Sequence, residues 1–164
     1  MIKIYNAGPL FTEAEIYQRR LEADLIKELL EKLNQEYSIF NPIDVPKSDI
    51  SSVGIFDVDY DAIKLSNTFF FDLANMDTGT LVELGIVIER LQANKSIKIY
   101  PVISDFRVSN ESNGFESSIG FNSFVIGALK SNEINIYLSF KDALEQFKKD
   151  ILLNKHDFCK VEFE

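Results

Sequence analysis

The segment from Phe69 to Leu91, FFFDLANMDTGTLVELGIVIERL, limits the possible folds more than any other part of the sequence. The run from Asn67 to Leu73 includes the start of this segment, is apolar and rich in aromatic residues, and is too short for a core helix. Such a run predicts a strand covered on both faces. A polar turn follows, and Gly79 and Thr80 begin a predicted helix. The turn therefore lies at the carboxyl end of a buried strand, which is where open α/β sheets bind ligands.

Predicted strands and helices alternate along the rest of the chain. Thr12 and Glu15 match a capping box, and the apolar positions after them predict a helix that ends near Asn34. Such alternation implies a parallel sheet with helices on both faces. We expect one α/β domain over residues 1–164, because 164 residues with 46% hydrophobic content can bury one ordinary core. The five predicted strands are residues 2–6, 37–40, 67–73, 96–103 and 134–138, and the other predicted helices are residues 57–65, 79–91, 121–129 and 140–153.

Charge and cysteine content exclude several classes of function. Seventeen basic against 26 acidic residues give a formal charge of -9, which argues against a nucleic acid as partner because neutralising phosphates needs clustered Lys and Arg. The single Cys159 excludes an internal disulfide, and together with His156 it lacks the spacing of metal ligands. No segment resembles a signal peptide or a membrane span. We therefore expect a cytoplasmic protein with no metal site and no membrane partner.

The turn after the first predicted strand excludes the common nucleotide-binding modules. Its sequence, NAGPLF, has neither the G-x-G-x-x-G pattern of dinucleotide-binding folds nor the lysine of a phosphate-binding loop. A phosphoryl-receiver domain would share the layout, and Asp72 could serve as its acceptor. However, Asn6, Ala7 and Gly8 supply no pair of carboxylates to hold magnesium.

What remains is a group of four carboxylates, Asp59, Asp72, Asp77 and Glu83. Glu83 is expected in the first turn of its helix, where the positive end of the macrodipole favours an ionised, nucleophilic carboxylate. Asp77, on the turn before that helix, can carry a proton to a leaving group if it lies in a drier pocket near like charge. A carboxylate that attacks an anomeric carbon while another group protonates the leaving group is the chemistry of retaining glycosyl transfer.

Each of these residues also has a purely structural interpretation. Thr80 to Glu83 fits a capping box, and Asp77 suits a tight turn through its short side chain. Asp59 can belong to the solvated acidic face of a short helix with Asp57 and Asp61. By the same reasoning, Asn122 is commonly a helix cap and Tyr5 a core aromatic residue.

Four motifs, YNAGPLFTEAE, DYDAIKLSN, DTGTLVELG and FNSFVIGAL, resemble in sequence and in order those of the nucleoside 2-deoxyribosyltransferase family. The resemblance runs from Tyr5 to about Leu129 and implies a flavodoxin-like fold. It also implies a covalent sugar-enzyme ester and no cofactor. By this resemblance Glu83 is the nucleophile, Asp77 handles the proton on the base, and Asp59 holds the sugar.

The same resemblance assigns the remaining site residues. Tyr5 is similar to the tyrosine that orients the nucleophile, and Gly8 and Phe11 match positions that line the base and sugar pocket. A glycine there lets a ligand approach the backbone, and an aromatic ring can stack on a base. Asn122 resembles a residue that a neighbouring subunit inserts into the site, which implies a homo-oligomer. The chain departs from the family where Ile86 and Val87 follow Gly85 instead of Tyr-Ala, and the polar loop at 105–118 has no matching motif.

The resemblance implies an enzyme that exchanges nucleobases on 2-deoxynucleosides with retention at C1 of the sugar. The alternative within the same superfamily is an N-glycosidase that hydrolyses 2-deoxynucleoside 5′-monophosphates. Glu13 and Glu15 follow the first predicted strand, and they would repel a phosphate dianion, which favours a substrate with a free 5′-hydroxyl. A third possibility is a binding domain of the same layout without turnover.

Overall fold

The predicted parallel sheet is present in the computed structural model, which describes residues 1–46, 51–105 and 120–160, with side chains described up to residue 153. Within these residues the sheet has four strands in the order β2-β1-β3-β4, and every neighbouring pair is parallel. The two central strands, β1 and β3, therefore supply the middle of the carboxyl edge of the sheet. The strands are β1 (Ile2–Ala7), β2 (Tyr37–Phe40), β3 (Thr68–Asp72) and β4 (Lys98–Val102).

Helices connect the strands, as the alternation predicted. The capping box of the first helix is confirmed, since the Thr12 hydroxyl accepts from the Glu15 amide and the Glu15 carboxylate accepts from the Thr12 amide. The second helix begins at Ser52, five residues before the predicted start, because Ser51 caps it. The helices are α1 (Glu13–Lys32), α2 (Ser52–Leu65), α3 (Thr78–Ala93), α4 (Ser123–Ser131) and α5 (Phe140–Lys160), with a short 3-10 helix at Pro42–Asp44.

The expected fifth strand at 134–138 is wrong. In the described part of the chain this segment contributes a single parallel bridge, in which the Tyr137 amide donates to Pro101 and its carbonyl accepts from Ile103. The segment is held at both ends by helices. Ile134 donates back to the last turn of α4, and α5 begins at Phe140, so the five residues between them form a short connection that meets β4 only at Tyr137 in the described residues.

Both faces of the sheet are buried, as predicted for a strand of three successive phenylalanines. Side chains alternate along β3, so Phe69 and Phe71 pack against α2, α3 and α4, whereas Phe70 packs against α1 and α5. None of the helices in the described ranges is long and apolar enough to cross a membrane. The last helix, predicted to end at Leu153, continues to Lys160 and so includes positions 156 and 159. Residues 106–118 of the polar loop lie outside the described residues.

Candidate active site

A cavity of about 130 Å³ opens at the carboxyl edge of the sheet, where the sequence predicted a ligand site. By this measure one water needs roughly 10–15 Å³, so the cavity accepts a group much larger than a single water. Its wall comes from the segments after β1, β2 and β3 together with one face of α2. The lining residues are Gly8, Leu10, Phe11, Pro42, Val45, Ile55, Asp59, Asp77, Gly79, Thr80 and Glu83.

Glu83 extends from α3 into this cavity and is bonded to a residue at the centre of the sheet. Its Oε1 atom accepts a hydrogen bond of 2.8 Å from the hydroxyl of Tyr5. Tyr5 is fully buried on β1, and its ring stacks on Phe40 with centroids 5.3 Å apart. The ring is thus fixed, so its hydroxyl holds Glu83 in one orientation. The capping-box interpretation of Glu83 is therefore wrong, because its carboxylate bonds across the fold.

The expected ease of ionisation of Glu83 is also wrong. The residue lies five positions after Thr78, the first residue of α3, which places it in the second turn and not the first. The pKa of Glu83 is raised to about 7, chiefly by burial; the Tyr5 hydrogen bond opposes this rise, and the charges of Asp59 and Asp77 add to it. Loss of water around the carboxylate outweighs the helix macrodipole, whose effect is confined to the first turn. Glu83 is therefore about half ionised at neutral pH.

Tyr5 remains a hydrogen-bond donor over the physiological range. Burial raises the pKa of Tyr5, and the neighbouring charges of Glu83 and Asp59 raise it further. A phenol that cannot lose its proton always presents a donor to the carboxylate. The contact with Glu83 is consequently a hydrogen bond in which only the carboxyl group titrates.

Asp77 caps the helix that carries Glu83. Its Oδ2 atom accepts from the amide of Thr80 at 2.7 Å and from the Thr80 hydroxyl at 2.8 Å. A Cβ on Gly79 would lie 3.2 Å from the same oxygen, so the small residue leaves room for the carboxylate. Asp77 thus has a structural role as a helix N-cap, where the sequence suggested a residue of a tight turn. The cap also holds the carboxyl group at the cavity wall beside Glu83.

Asp59 is separated from its acidic neighbours by its position on α2. Asp57 and Asp61 are exposed, and Asp61 forms an ion pair with Lys64 at 2.6 Å. Asp59 is half-buried and lines the cavity with Glu83. The interpretation as a solvated acidic face thus fits the two neighbours and fails for Asp59.

A second cavity of about 270 Å³ shares Asp59 and Glu83 with the first as lining residues. Its wall is mostly apolar and comes from α2 and α3. The two carboxylates therefore line both the cavity at the sheet edge and this apolar cleft. The lining residues of this cleft are Ser52, Ile55, Phe56, Asp59, Tyr60, Ile63, Gly79, Val82, Glu83 and Ile86.

Gly8 and Phe11 both line the first cavity. Phe11 is 80% exposed and stands at its mouth. The reason for a glycine at position 8 differs from the predicted one: an added Cβ would come within 2.2 Å of Nη1 of Arg19. The nearest obstacle to a side chain at Gly8 is therefore a buried guanidinium behind the cavity wall.

Three predicted residues are not among those that line the cavity. Tyr5 is one of them and is connected to the cavity through its hydrogen bond to Glu83; Asp72 and Asn122 are the others. Asp72 pairs with Arg19 at 2.7 Å, so it is not among the lining carboxylates. Asn122 is exposed and caps α4, where its Oδ1 atom accepts from Phe124 at 3.0 Å and Val125 at 3.3 Å. The helix-cap interpretation of Asn122 is confirmed, and its role toward a neighbouring subunit stays a prediction.

Sequence reasoning missed Arg19, the largest fully buried side chain in the described residues. It lies on α1 three residues before Glu22, to which it is paired at 2.8 Å. An Arg and a Glu at this spacing usually mark a solvated helix surface, so no pattern in the sequence distinguishes them from exposed charges. Among the described residues, no cluster of three or more His, Cys, Asp or Glu side chains is placed to hold a metal ion.

Solved structures share this architecture. A conserved protein from Enterococcus faecalis V583 aligns with a TM-score of 0.71 at 22% identity, covering 92% of this chain and 99% of that one. A 2-deoxyribosyltransferase from Leishmania mexicana aligns at 0.58 and 21% identity, covering 91% and 98%. A CMP N-glycosidase from Clostridium botulinum, BcmB, aligns at 0.53 and 17% identity, covering 88% and 96%. At these identities the likeness establishes the fold.

Sequence comparison adds a nearer relative. No family model matches the sequence. The uncharacterized protein UU063 of Ureaplasma parvum serovar 3 is 32% identical over 151 residues, which covers 87% of this chain and 92% of that protein. Because the match has this identity over most of both chains, the protein belongs to the same family as UU063 of Ureaplasma parvum.

Proposed function

We propose that the protein is a nucleoside 2-deoxyribosyltransferase, which moves 2-deoxyribose between nucleobases through an ester on Glu83. One observation carries the proposal: the Glu83 carboxylate, held at 2.8 Å by the Tyr5 hydroxyl, faces a cavity that Asp59 and Asp77 also line. An oriented carboxylate beside further acidic groups is the arrangement that double displacement at a sugar carbon requires. The shared fold with a 2-deoxyribosyltransferase supports the same conclusion.

In the first half-reaction a Glu83 oxygen attacks C1 of the deoxyribose. The bond from C1 to the base nitrogen breaks, its electron pair leaves with the base, and Asp77 supplies the proton that the base takes up. In the second half-reaction the nitrogen of an incoming base attacks C1 and loses its proton to Asp77, while the ester bond breaks and restores the Glu83 carboxylate. Two inversions give net retention, and no cofactor takes part in either step.

The electrostatics of the site suit this role. Burial that raises the pKa of Glu83 to about 7 makes the carboxylate more basic, and a more basic carboxylate is a better nucleophile. The oxocarbenium-like transition state is positive, so the nearby Asp59 stabilises it. Apolar residues such as Val45 and Ile55 share the cavity wall with the three carboxylates.

The alternative is hydrolysis of a 2-deoxynucleoside 5′-monophosphate, and the shared fold with a CMP N-glycosidase supports it. The charges of the site favour a substrate without a phosphate. In the described part of the chain the cavity wall carries three carboxylates and neither Lys nor Arg. The nearby Arg19 lies behind Gly8 and is occupied by Asp72 and Glu22. A phosphate dianion would meet like charge there.

Two incubations separate the candidates. In one, the protein receives deoxyinosine and adenine; in the other it receives a pyrimidine or purine deoxynucleoside 5′-monophosphate. Formation of deoxyadenosine in the first supports transfer. Release of base in the second alone means that the protein is a nucleotide N-glycosidase, and binding of nucleoside without turnover in either means that it is a binding domain.

The role of Glu83 has its own test. Glu83→Ala is expected to abolish exchange, whereas Glu89→Ala, on the exposed face of the same helix, retains it. Denaturing mass spectrometry of the wild type after a rapid acid quench should show one added deoxyribosyl group on the peptide that contains Glu83. Normal turnover by Glu83→Ala would remove Glu83 from the mechanism.

A further inference from the structure

Arg19 connects α1 to two strands through its side chain. The guanidinium is 1% exposed, and its Nη1 atom donates to the carbonyl of Ala7 at 2.9 Å. Its Nη2 atom donates to Glu22 at 2.8 Å and to Asp72 at 2.7 Å. Ala7 ends β1 and Asp72 ends β3, so one side chain bonds to the carboxyl ends of both central strands.

The backbone of Arg19 adds a third strand. Its carbonyl oxygen accepts from the side-chain amide of Asn6 at 3.1 Å and from that of Asn41 at 3.1 Å. Asn6 belongs to β1, and Asn41 directly follows β2. Both amides are buried, which fixes their geometry. Arg19 therefore bonds to the carboxyl ends of β1, β2 and β3 at once.

Each of these strand ends leads into the cavity wall. Gly8 follows β1 and Pro42 follows β2, and both line the cavity. After β3, the second oxygen of Asp72 accepts from the amide of Ala74 at 3.1 Å, which shapes the turn that ends at Asp77. The three segments that supply the wall are thus all anchored to one residue.

The Arg19 guanidinium packs closely against Gly8, which leaves little room for either group to move. A Cβ at position 8 would lie 2.2 Å from Nη1 and 2.8 Å from Cζ of Arg19, and 3.0 Å from Cβ of Asp72. The loop therefore rests directly on the guanidinium. Any shift of Arg19 would move the backbone of Gly8, and Asp77 through the Asp72 turn.

The buried charges of Arg19, Glu22 and Asp72 favour a role for Arg19 in positioning the loops over a role in stabilising the fold. Burying an ion pair seldom stabilises a fold more than apolar residues of the same size would, because the desolvation cost offsets the attraction. Burial also raises the pKa of Glu22 to about 7, against the opposing effect of Arg19. What the guanidinium offers, and an apolar side chain does not, is a planar fork that bonds to three groups in fixed directions.

We propose that Arg19 is a positioning residue that sets the mutual placement of the loops after β1, β2 and β3, and with them the position of Asp77 relative to Glu83. Its effect on turnover rests on the proposed deoxyribosyl transfer, whereas its effect on the loops does not. Among the described residues, no hydrogen bond joins Arg19 to Glu83 or Tyr5, so Arg19 acts on the positions of the catalytic groups and not on the titration of the nucleophile.

Amide hydrogen exchange tests the effect on the loops without any assumption about function. In Arg19→Met, the amides of residues 8, 10 and 11 and of residues 74–77 are expected to exchange at least ten-fold faster than in the wild type, while amides inside α3 are unchanged. Arg20→Met is the matched control, since Arg20 is the exposed neighbour on the same helix. Equal exchange in wild type and Arg19→Met would overturn the proposal. If Arg19→Met does not fold, Arg19→Lys serves instead, because it keeps the charge and loses the fork.

The contact with Gly8 gives a second test. Gly8→Ala is expected to lower Tm strongly in the wild type and much less in the Arg19→Ala background, where the new methyl group has room. An equal loss in both backgrounds would show that Gly8 does not rest on Arg19. This measurement also needs no substrate.

Kinetics then distinguish a positioning role from a merely structural one. Small displacements of a reacting group can lower rates by up to about a hundred-fold. For folded Arg19→Met we expect kcat for base exchange to fall ten-fold or more. The midpoint of the acid limb in the pH profile of kcat should stay unchanged. A normal kcat in a protein with mobile loops would overturn the catalytic part of the proposal. If the wild type exchanges no bases, the proposed function is refuted. The amide hydrogen exchange and Tm results then decide the role of Arg19.

Discussion

Replacement of Tyr5 by Phe removes one hydrogen bond from the nucleophile and little else. The hydroxyl of Tyr5 donates to Glu83 at 2.8 Å, and the ring packs on Phe40 and Phe69. Phenylalanine keeps the ring contacts. The hydrogen bond favours the ionised form of Glu83, so its loss leaves burial and the charge of Asp59 to raise the pKa further.

The size of the effect follows from the strength of that bond. A hydrogen bond to a charged group contributes about 1.5–3 kcal/mol, and it contributes less once the carboxylate is protonated. A difference of about 1.4 kcal/mol between the two forms corresponds to one pKa unit. The pKa of Glu83 would then rise from about 7 to roughly 8 in Tyr5→Phe. At pH 7 the ionised fraction falls from about one half to about one eleventh, which slows the reaction about five-fold.

The assay is kcat/KM for base exchange between pH 5.5 and 9, because its acid limb reports the ionisation of the free enzyme. We expect the midpoint of this limb near pH 7 in the wild type and about one unit higher in Tyr5→Phe. Tyr100→Phe is the control: it removes an equally buried hydroxyl that donates to Asp150 at 2.7 Å in the opposite layer. An acid limb that stays in place in Tyr5→Phe, or moves to lower pH, would refute the reasoning.

Two further predictions concern stability and assembly. The pKa of Glu83 is raised from 4.5 to about 7 in the fold, so the stability that the protonated group contributes is complete below pH 4.5 and is lost as the pH rises through 7. Glu83→Gln should therefore be more stable than the wild type at pH 8, by up to about 3 kcal/mol, and equally stable at pH 4; a difference of the same size at both pH values in urea unfolding would contradict this. If Asn122 completes the site of a neighbouring subunit, mixing inactive Asn122→Ala with inactive Glu83→Ala should restore part of the activity. Asn122→Asp, which keeps the cap of α4, separates loss of the amide from loss of the helix end, and mixtures that stay inactive would remove Asn122 from the site.

Local patterns in the sequence predicted most of the architecture. The aromatic run of β3 predicted a strand buried on both faces, and its three phenylalanines do alternate between the two cores. Thr12 and Glu15 predicted the start of α1 correctly. The prediction of a fifth strand failed because its strand-like segment is a short connection between two helices, and it pairs with β4 only at Tyr137 in the described residues. Whether a short apolar run pairs depends on what holds its ends, which composition does not show.

The candidate site divides in the same way. Motifs in the sequence pointed to Asp59, Asp77 and Glu83, and all three line one cavity. The sequence did not predict that Arg19 lies behind Gly8. Arg19 is 1% exposed, but its neighbours in the sequence are the same as those expected around an exposed arginine on a helix.

The sequence alone determined the alternation of strands and helices, the caps at Thr12 and Asn122 and the acidic residues at the edge of the sheet, since each depends on neighbours a few positions away. Tertiary structure decided the chemistry of those residues. Tyr5 and Glu83 are 78 positions apart, and the hydrogen bond between them exists because β1 lies beneath α3. Their protonation depends on how much water and charge the whole fold leaves around them, and that sum over distant segments is fixed only once the chain has packed.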